Sequence, residues 1–267
     1  MKKIIPQVFK NLLILSFVCF SQTSLAVSEL FFMDARSFAL GNVHALSDEL
    51  LNPATIAFSE QRQAGISVLN RFQMKELNTA NLYLKYPNKW LDAGVKFSTF
   101  GYEDYRISQM QASFAKKIAP NLSLGIQLAY LNESSILEEN ARQTFTSGLG
   151  VYYRLNEKID LALLGENLLH TFDDNPVCGY AGMKYKPFEN SVLLLEANYG
   201  KETQFTFSLG FEYEILNQFL IRAGFRSNPK TPSFGIAYQW NKWTVEAGFS
   251  FHSVLGVSSI IGVNFEL

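Results

Sequence analysis

Residues 204–214 read Gln-Phe-Thr-Phe-Ser-Leu-Gly-Phe-Glu-Tyr-Glu. Phe205, Phe207, Leu209, Phe211 and Tyr213 fall on one side of an extended chain, and Thr206, Ser208, Gly210 and Glu212 on the other. Strand side chains point alternately to opposite faces, so this stretch makes one apolar surface and one polar or small surface. It is also long enough to cross a bilayer at a tilt, which takes about 9–11 residues.

The same period recurs outward from this segment in both directions. Leu122, Leu124, Ile126, Leu128 and Tyr130 alternate with Ser123, Gly125, Gln127 and Ala129. Trp243, Val245, Ala247, Phe249 and Phe251 alternate with Thr244, Glu246, Gly248 and Ser250, and Ile261, Val263, Phe265 and Leu267 end the chain. About fourteen strands are expected, starting near residues 62, 77, 89, 104, 121, 142, 158, 177, 191, 203, 217, 233, 243 and 256. The expected fold is all-β: a transmembrane, antiparallel up-and-down barrel over residues 61–267, with both ends on the periplasmic side.

Composition points the same way. Charged residues make up 18% of the 267, against about 25% in soluble domains, while 14% are aromatic, 23 of them Phe. A barrel in lipid can place those rings on its outer surface. At the N-terminus, Lys2, Lys3 and Lys10 precede the apolar run Asn11–Phe20, and Ser24-Leu25-Ala26 follows. That is the layout of a signal peptide, expected at 1–26 and cut after Ala26. Its removal takes three Lys and no acid, so the formal charge moves from −1 to −4. No basic run exists to follow phosphates, so nucleic acid is not an expected partner. Cys178 is then the last cysteine, and no internal disulfide forms.

Turns give a separate check on orientation. The segments around Tyr86-Pro87-Asn88-Lys89, Ile118-Ala119-Pro120-Asn121, Leu155-Asn156-Glu157-Lys158, Pro187-Phe188-Glu189-Asn190, Glu214-Ile215-Leu216-Asn217 and Trp240-Asn241-Lys242-Trp243 are tight. All contain Asn, which tolerates the left-handed backbone of tight turns. These are the expected periplasmic turns. The opposite set is irregular and includes Asn132–Ala141, its longest member, His170–Pro176 and Ser227–Pro232. Trp and Tyr near strand ends suit interfacial girdles.

Residues 27–60 lack the alternation. They are rich in small residues and contain the turn Asn52-Pro53-Ala54, so they are expected to fold as a short helical or irregular plug in the barrel mouth or lumen. The stretch Ala35–Ala54, with Ala35, Arg36, Gly41, Ala45, Asn52, Pro53 and Ala54 in place, resembles the segment that precedes the barrel in the FadL/PorV-like outer-membrane family. Its compact strands and short loops look closer to the PorV/PorQ branch. The resemblance implies a role in type IX secretion or envelope assembly, or passage of small hydrophobic molecules. The implied partners are a secretion-system component or a small hydrophobic ligand. Thr55 and Ile56 depart from the Gly-Leu that usually follows this turn. The ending Gly262-Val263-Asn264-Phe265-Glu266-Leu267 fits the Gly-x-x-hydrophobic-x-hydrophobic signal of outer-membrane assembly, so outer-membrane lipid and the barrel-assembly machinery are expected partners.

Little points to chemistry. The histidines are His44, His170 and His252. His252 beside Ser250 and Ser253, or His170 near Asp173 and Asp174, could be drawn as half of a lipid- or surface-modifying hydrolase, the alternative function. Neither is put forward as catalytic, and no metal site or cofactor is expected. On the expected lumen face, Arg222, Arg226 and Glu246 are read as a charge network, with Lys85, Asp92, Lys96, Arg154, Asp160, Glu166, Lys184, Lys186 and Glu196 also facing inward.

Overall fold

A computed structural model describes residues 33–47, 50–136, 141–169, 177–200 and 204–267. The signal peptide expected at 1–26 lies outside these residues, as does His170. Fourteen strands are described: β1 (Gln63–Asn70), β2 (Asn78–Tyr86), β3 (Asp92–Gly101), β4 (Tyr105–Ala119), β5 (Leu122–Ser135), β6 (Arg142–Arg154), β7 (Ile159–Glu166), β8 (Cys178–Tyr185), β9 (Ser191–Gly200), β10 (Gln204–Leu216), β11 (Phe219–Ser227), β12 (Lys230–Trp240), β13 (Trp243–His252) and β14 (Gly256–Glu266). Each pairs antiparallel with its sequence neighbours, and β14 closes on β1 from Gln63↔Glu266 to Asn70↔Ser259. Closure leaves no unpaired sheet edge, which is what a sheet in hydrocarbon requires.

The burial of β10 is inverted relative to a soluble protein. Phe205, Phe207, Leu209 and Phe211 are exposed on the outer surface, while Thr206, Ser208 and Glu212 are buried inside. The same inversion runs around the wall, from Ile66 and Leu82 to Phe234, Phe249 and Ile261. An apolar outside with a polar inside is the arrangement of a transmembrane barrel. Trp90, Trp240 and Trp243 stand exposed at the end that carries the short turns.

Connections at that turn end run two to five residues, and those at the opposite, loop end run two to eleven. Two loop-end expectations change. The longest connection is 167–177, not Asn132–Ala141, because β5 continues to Ser135. Ser227–Pro232 is mostly strand, with Pro232 opposite Phe225. Pairing of β12 with β13 starts only at Ser233↔Ser250, so Pro232 occupies an edge where its missing N–H leaves no ladder bond unmade. Among the six Asn turns, only Asn241 takes a positive φ, at 53°. Asn156 works instead through its side chain, whose Oδ1 accepts the N–H groups of Lys158 and Ile159.

The middle of the lumen is filled by residues 33–47 and 50–58. Asp34 caps a five-residue helix, α1 (Ala35–Ala39), by accepting the Ser37 N–H at 2.5 Å. Asn52 caps the 3-10 turn Pro53–Phe58, with Pro at its first position. Glycines on the wall make the room for this segment. A Cβ on Gly94 would meet Leu50, on Gly125 Pro53 and Ala54, on Gly182 Leu46, on Gly210 Leu40 and on Gly235 Ala39. Gly41 reciprocates. It has φ +82°, and a Cβ there would lie 2.9 Å from the carbonyl oxygens of Leu209 and Phe225, so only glycine fits on both counts.

Candidate functional site

Three contact regions fix the inner segment against the wall, and each joins residues far apart in sequence. The first is ionic. Arg36 forms a bidentate pair with Glu212, Nε to Oε2 at 3.0 Å and Nη2 to Oε1 at 2.9 Å. Arg222 donates to the same carboxylate at 2.7 Å and to Glu246 at 3.2 Å. Two cations and two carboxylates thus form a neutral chain from α1 across β10, β11 and β13. Of the residues read as a network from sequence, Arg222 and Glu246 are brought together, while the Arg226 Nε donates to the Asn228 carbonyl. Sequence reasoning placed Arg36 in the plug motif, as a possible anchor of the plug together with Asp34 or Asp48, but left Glu212 out of the network. The inward face of Glu212 was visible in its alternation, but its partner was not.

The second region is the turn at Asn52. Its Nδ2 donates to the Ala45 carbonyl at 2.8 Å and, at 3.3–3.4 Å, to Leu163 and Val151 on the wall. Its Oδ1 accepts the Ala54 N–H. Ser123 on β5 donates to the Ala54 carbonyl at 2.8 Å, and Lys96 on β3 to the Leu50 carbonyl at 3.1 Å. Ala35 and Ala54 are buried against the wall with almost no exposed surface.

The third region is His44–Ala45–Leu46. Glu196 on β9 accepts the N–H groups of His44, at 2.9 and 3.0 Å, and of Ala45, at 2.7 Å. The His44 ring stacks on Tyr180 with centroids 4.7 Å apart. Leu46 joins Leu40, Val43, Ala54, Ala162, Leu164 and Leu194 in the largest apolar cluster of the interior.

On the lipid side of the same wall is a groove. About 530 Å³ in volume, it is walled by Val151, Leu161, Leu163, Met183, Leu195 and Phe207 and floored by Ala181, Gly182 and Ala197. A second hollow of about 460 Å³ shares Leu163, Ala181 and Ala197 with it and continues past Gly179 to Tyr199 and Phe205. Small floor residues make the wall one backbone layer thick here. Gly182 and Glu196 line the groove from outside, and on their inner side lie Leu46 and the His44–Ala45 peptide groups.

At the turn end, a polar vestibule of about 410 Å³ is lined by Phe58, Lys85, Arg154, Asp160, Lys184 and Glu266, among others. The Arg154 guanidinium lies 4.2 Å from the Phe58 ring centre. At the loop end, His252 serves its own turn, its Nδ1 accepting the N–H groups of Val254 and Leu255. That spends the lone pair a general base would need. Cys178 is buried. Among the described residues no group of three or more His, Cys, Asp or Glu side chains could hold a metal ion.

A closed fourteen-strand barrel, apolar outside and filled at its centre by an N-terminal segment, defines the class of the protein as a transmembrane β-barrel. No family model and no curated protein matches the sequence. Solved structures do match in fold. The chain is similar to the Pseudomonas putida toluene transporter TodX, with TM-score 0.65, 12% identity and coverage of 87% of this chain and 96% of that one. It is similar to the CymD monoaromatic hydrocarbon channel, with TM-score 0.66, 14% identity and coverage of 87% and 97%. A Pseudomonas aeruginosa FadL homologue gives TM-score 0.65 at 11% identity, covering 87% and 96%. The barrel therefore has the fold seen in FadL-type channels.

Proposed function

We propose that this chain is exported behind a cleaved signal peptide, inserted in the outer membrane by the barrel-assembly machinery, and passes small hydrophobic molecules without catalysis. The observation that carries the reading is the lipid-side groove. It is apolar, wide enough for a small hydrocarbon or a length of acyl chain, and separated by a single backbone layer from the largest internal apolar cluster. A hydrophobic solute loses roughly 25 cal/mol per Å² of favourable burial on entering water. A route that starts in lipid and ends against Leu46 and Leu194 avoids that loss. The fold shared with a toluene transporter and a monoaromatic hydrocarbon channel supports the same reading.

Two substitutions test it. Ala181→Phe and Ala197→Phe fill the groove from the lipid side, where a larger apolar group is tolerated by the fold. Entry of toluene into vesicles containing the protein is expected to fall to the rate of protein-free vesicles. Wild-type entry no faster than in empty vesicles, or entry unchanged by both substitutions, defeats the reading.

The second reading is a component of type IX secretion or envelope assembly, in the manner of the PorV/PorQ branch. The filled lumen centre and the two- or three-residue connections at 102–104, 228–229 and 253–255 favour it, since they leave little architecture for capturing a solute from outside. A crosslinked partner recovered from outer membranes, with loss of a secreted protein on deletion, would select this reading; an unaltered secretome would dismiss it.

A further inference from the structure

We infer that His44 is a proton-operated latch: neutral, it holds residues 44–46 against the wall behind the groove, and protonated, it releases them. The inference concerns the regulation of the proposed passage, and rests on that reading only for what release accomplishes.

The geometry has three parts. The backbone on either side of the ring is clamped, because Glu196 takes both the His44 and Ala45 N–H groups. The ring is seated, stacked on Tyr180 with an interplanar angle of 6°. Its Nδ1 is buried without a hydrogen-bond partner and lies 3.9 Å from the Glu166 carboxylate, beyond hydrogen-bonding reach. His44 borders a cavity of about 40 Å³ also lined by Lys96, Gln109, Gln111, Gln127 and Glu166. A buried neutral imidazole is the form such a seat accepts, since a buried charge without a hydrogen-bonding partner is costly.

Charges facing the ring come from every side of the wall. Lys96 on β3 and Arg226 on β11 oppose a positive ring, and Glu166 on β7 and Glu196 on β9 are its acidic neighbours. Among the described residues, Tyr180 on β8 stacks on the ring, and Cys178 on the same strand lies near Tyr180. Burial is the largest effect on His44, followed by Arg226 and Lys96, and together they lower its pKa from 6.5 to about 3. The seated pKa is below the released one, so the contribution of His44 to seating is full above pH 6.5. It is lost progressively as pH falls from there toward 3. From pH 7.5 to pH 5 the equilibrium shifts toward release by about 30-fold, taking a released pKa near 6.5.

The test uses the full chain in lipid vesicles, with Cys178→Ala to remove the native thiol and Ala45→Cys as a reporter. Labelling of that cysteine by a small water-soluble maleimide is expected to accelerate about 30-fold between pH 7.5 and pH 5 once corrected for thiolate fraction with a free-thiol peptide. In His44→Gln, and in His44→Phe, which keeps a ring on Tyr180, the acceleration is expected to vanish. Folding of each variant is verified by heat-modifiable gel mobility. A wild-type rate that does not change with pH overturns the latch, as does an acceleration that survives either substitution. Labelling already complete at pH 7.5 in both variants also overturns it, because packing rather than the proton would then hold the segment. Toluene entry followed in the same vesicles separates the two proposals: His44-dependent labelling without toluene entry keeps the latch and removes the passage reading, and the reverse result removes the latch alone.

Discussion

Replacing Arg36 by Met tests whether the ionic chain anchors the inner segment. In the native protein, Arg36 and Arg222 balance Glu212 and Glu246. Arg36→Met preserves much of the side-chain volume but leaves one cation facing two carboxylates inside the barrel. Removing one partner of a buried pair costs about 3–5 kcal/mol, and a unit charge at 4 Å in a medium of effective dielectric 20 gives about 4 kcal/mol, in agreement. Amide exchange at Gly41, whose N–H donates to Ser233 Oγ at 3.1 Å, reports seating locally. It is expected to accelerate by about 10²- to 10³-fold, at about 1.4 kcal/mol per factor of ten. The decisive comparison is the double variant with Glu212→Gln. It leaves Arg222 and Glu246 as a neutral pair, so it should be more stable than Arg36→Met alone, with a coupling of roughly 2 kcal/mol. Exchange within threefold of the wild type in Arg36→Met, or strictly additive effects in the double variant, would refute the assignment of the chain as an anchor.

Three further outcomes follow from contacts already described. Asn52→Ala removes the cap on Ala54 N–H and the bond to the Ala45 carbonyl, and should weaken seating by about 1–2 kcal/mol, measured by amide exchange at Ala54. Gly125→Val places methyl groups where Pro53 and Ala54 lie; the barrel should still show heat-modifiable mobility while residues 52–56 become cleavable by an added protease. His252→Phe removes an acceptor for two backbone N–H groups, costing about 1 kcal/mol in thermal unfolding, and should leave toluene entry unchanged.

The barrel wall was legible because each strand carries its own signal. Alternation at Phe205–Tyr213 or Trp243–Phe251 is local, and it places strand starts within three residues of those observed. The contacts of the inner segment carry no such signal. Arg36 meets Glu212 across 176 positions and His44 meets Glu196 across 152, and nothing in the small-residue stretch 35–54 names its partner. Gly125 and Gly210 show in the alternation as members of the polar or small face, but not as the seats of Pro53 and Leu40. Asn in the turns drew attention for the right positions and partly the wrong reason, since Asn156 uses its side chain where only Asn241 uses left-handed backbone.

The two wall carboxylates that hold the inner segment are not equivalent, and the difference sets the order in which the segment can leave. Glu212 is engaged by two guanidinium groups, with a bidentate bond to Arg36. Charge-assisted bidentate pairs are the stronger class of hydrogen bond. Glu196 grips the other end through the backbone N–H groups of His44 and Ala45, and beside them is a ring whose buried seat disfavours its charged form. The two glutamates stand on adjacent strands, with Glu196 opposite Ser208 and Glu212 opposite Val192. The segment between them is therefore held at α1 by paired charges and at residues 44–46 by contacts that a proton on His44 weakens, which makes 44–46 the loose end once the ring is charged. Release at the loose end uncovers the inner side of Gly182, the floor of the groove, while Arg36 keeps the helix in place. A closure built this way opens where the lipid-side groove approaches the lumen and need not expel the whole segment.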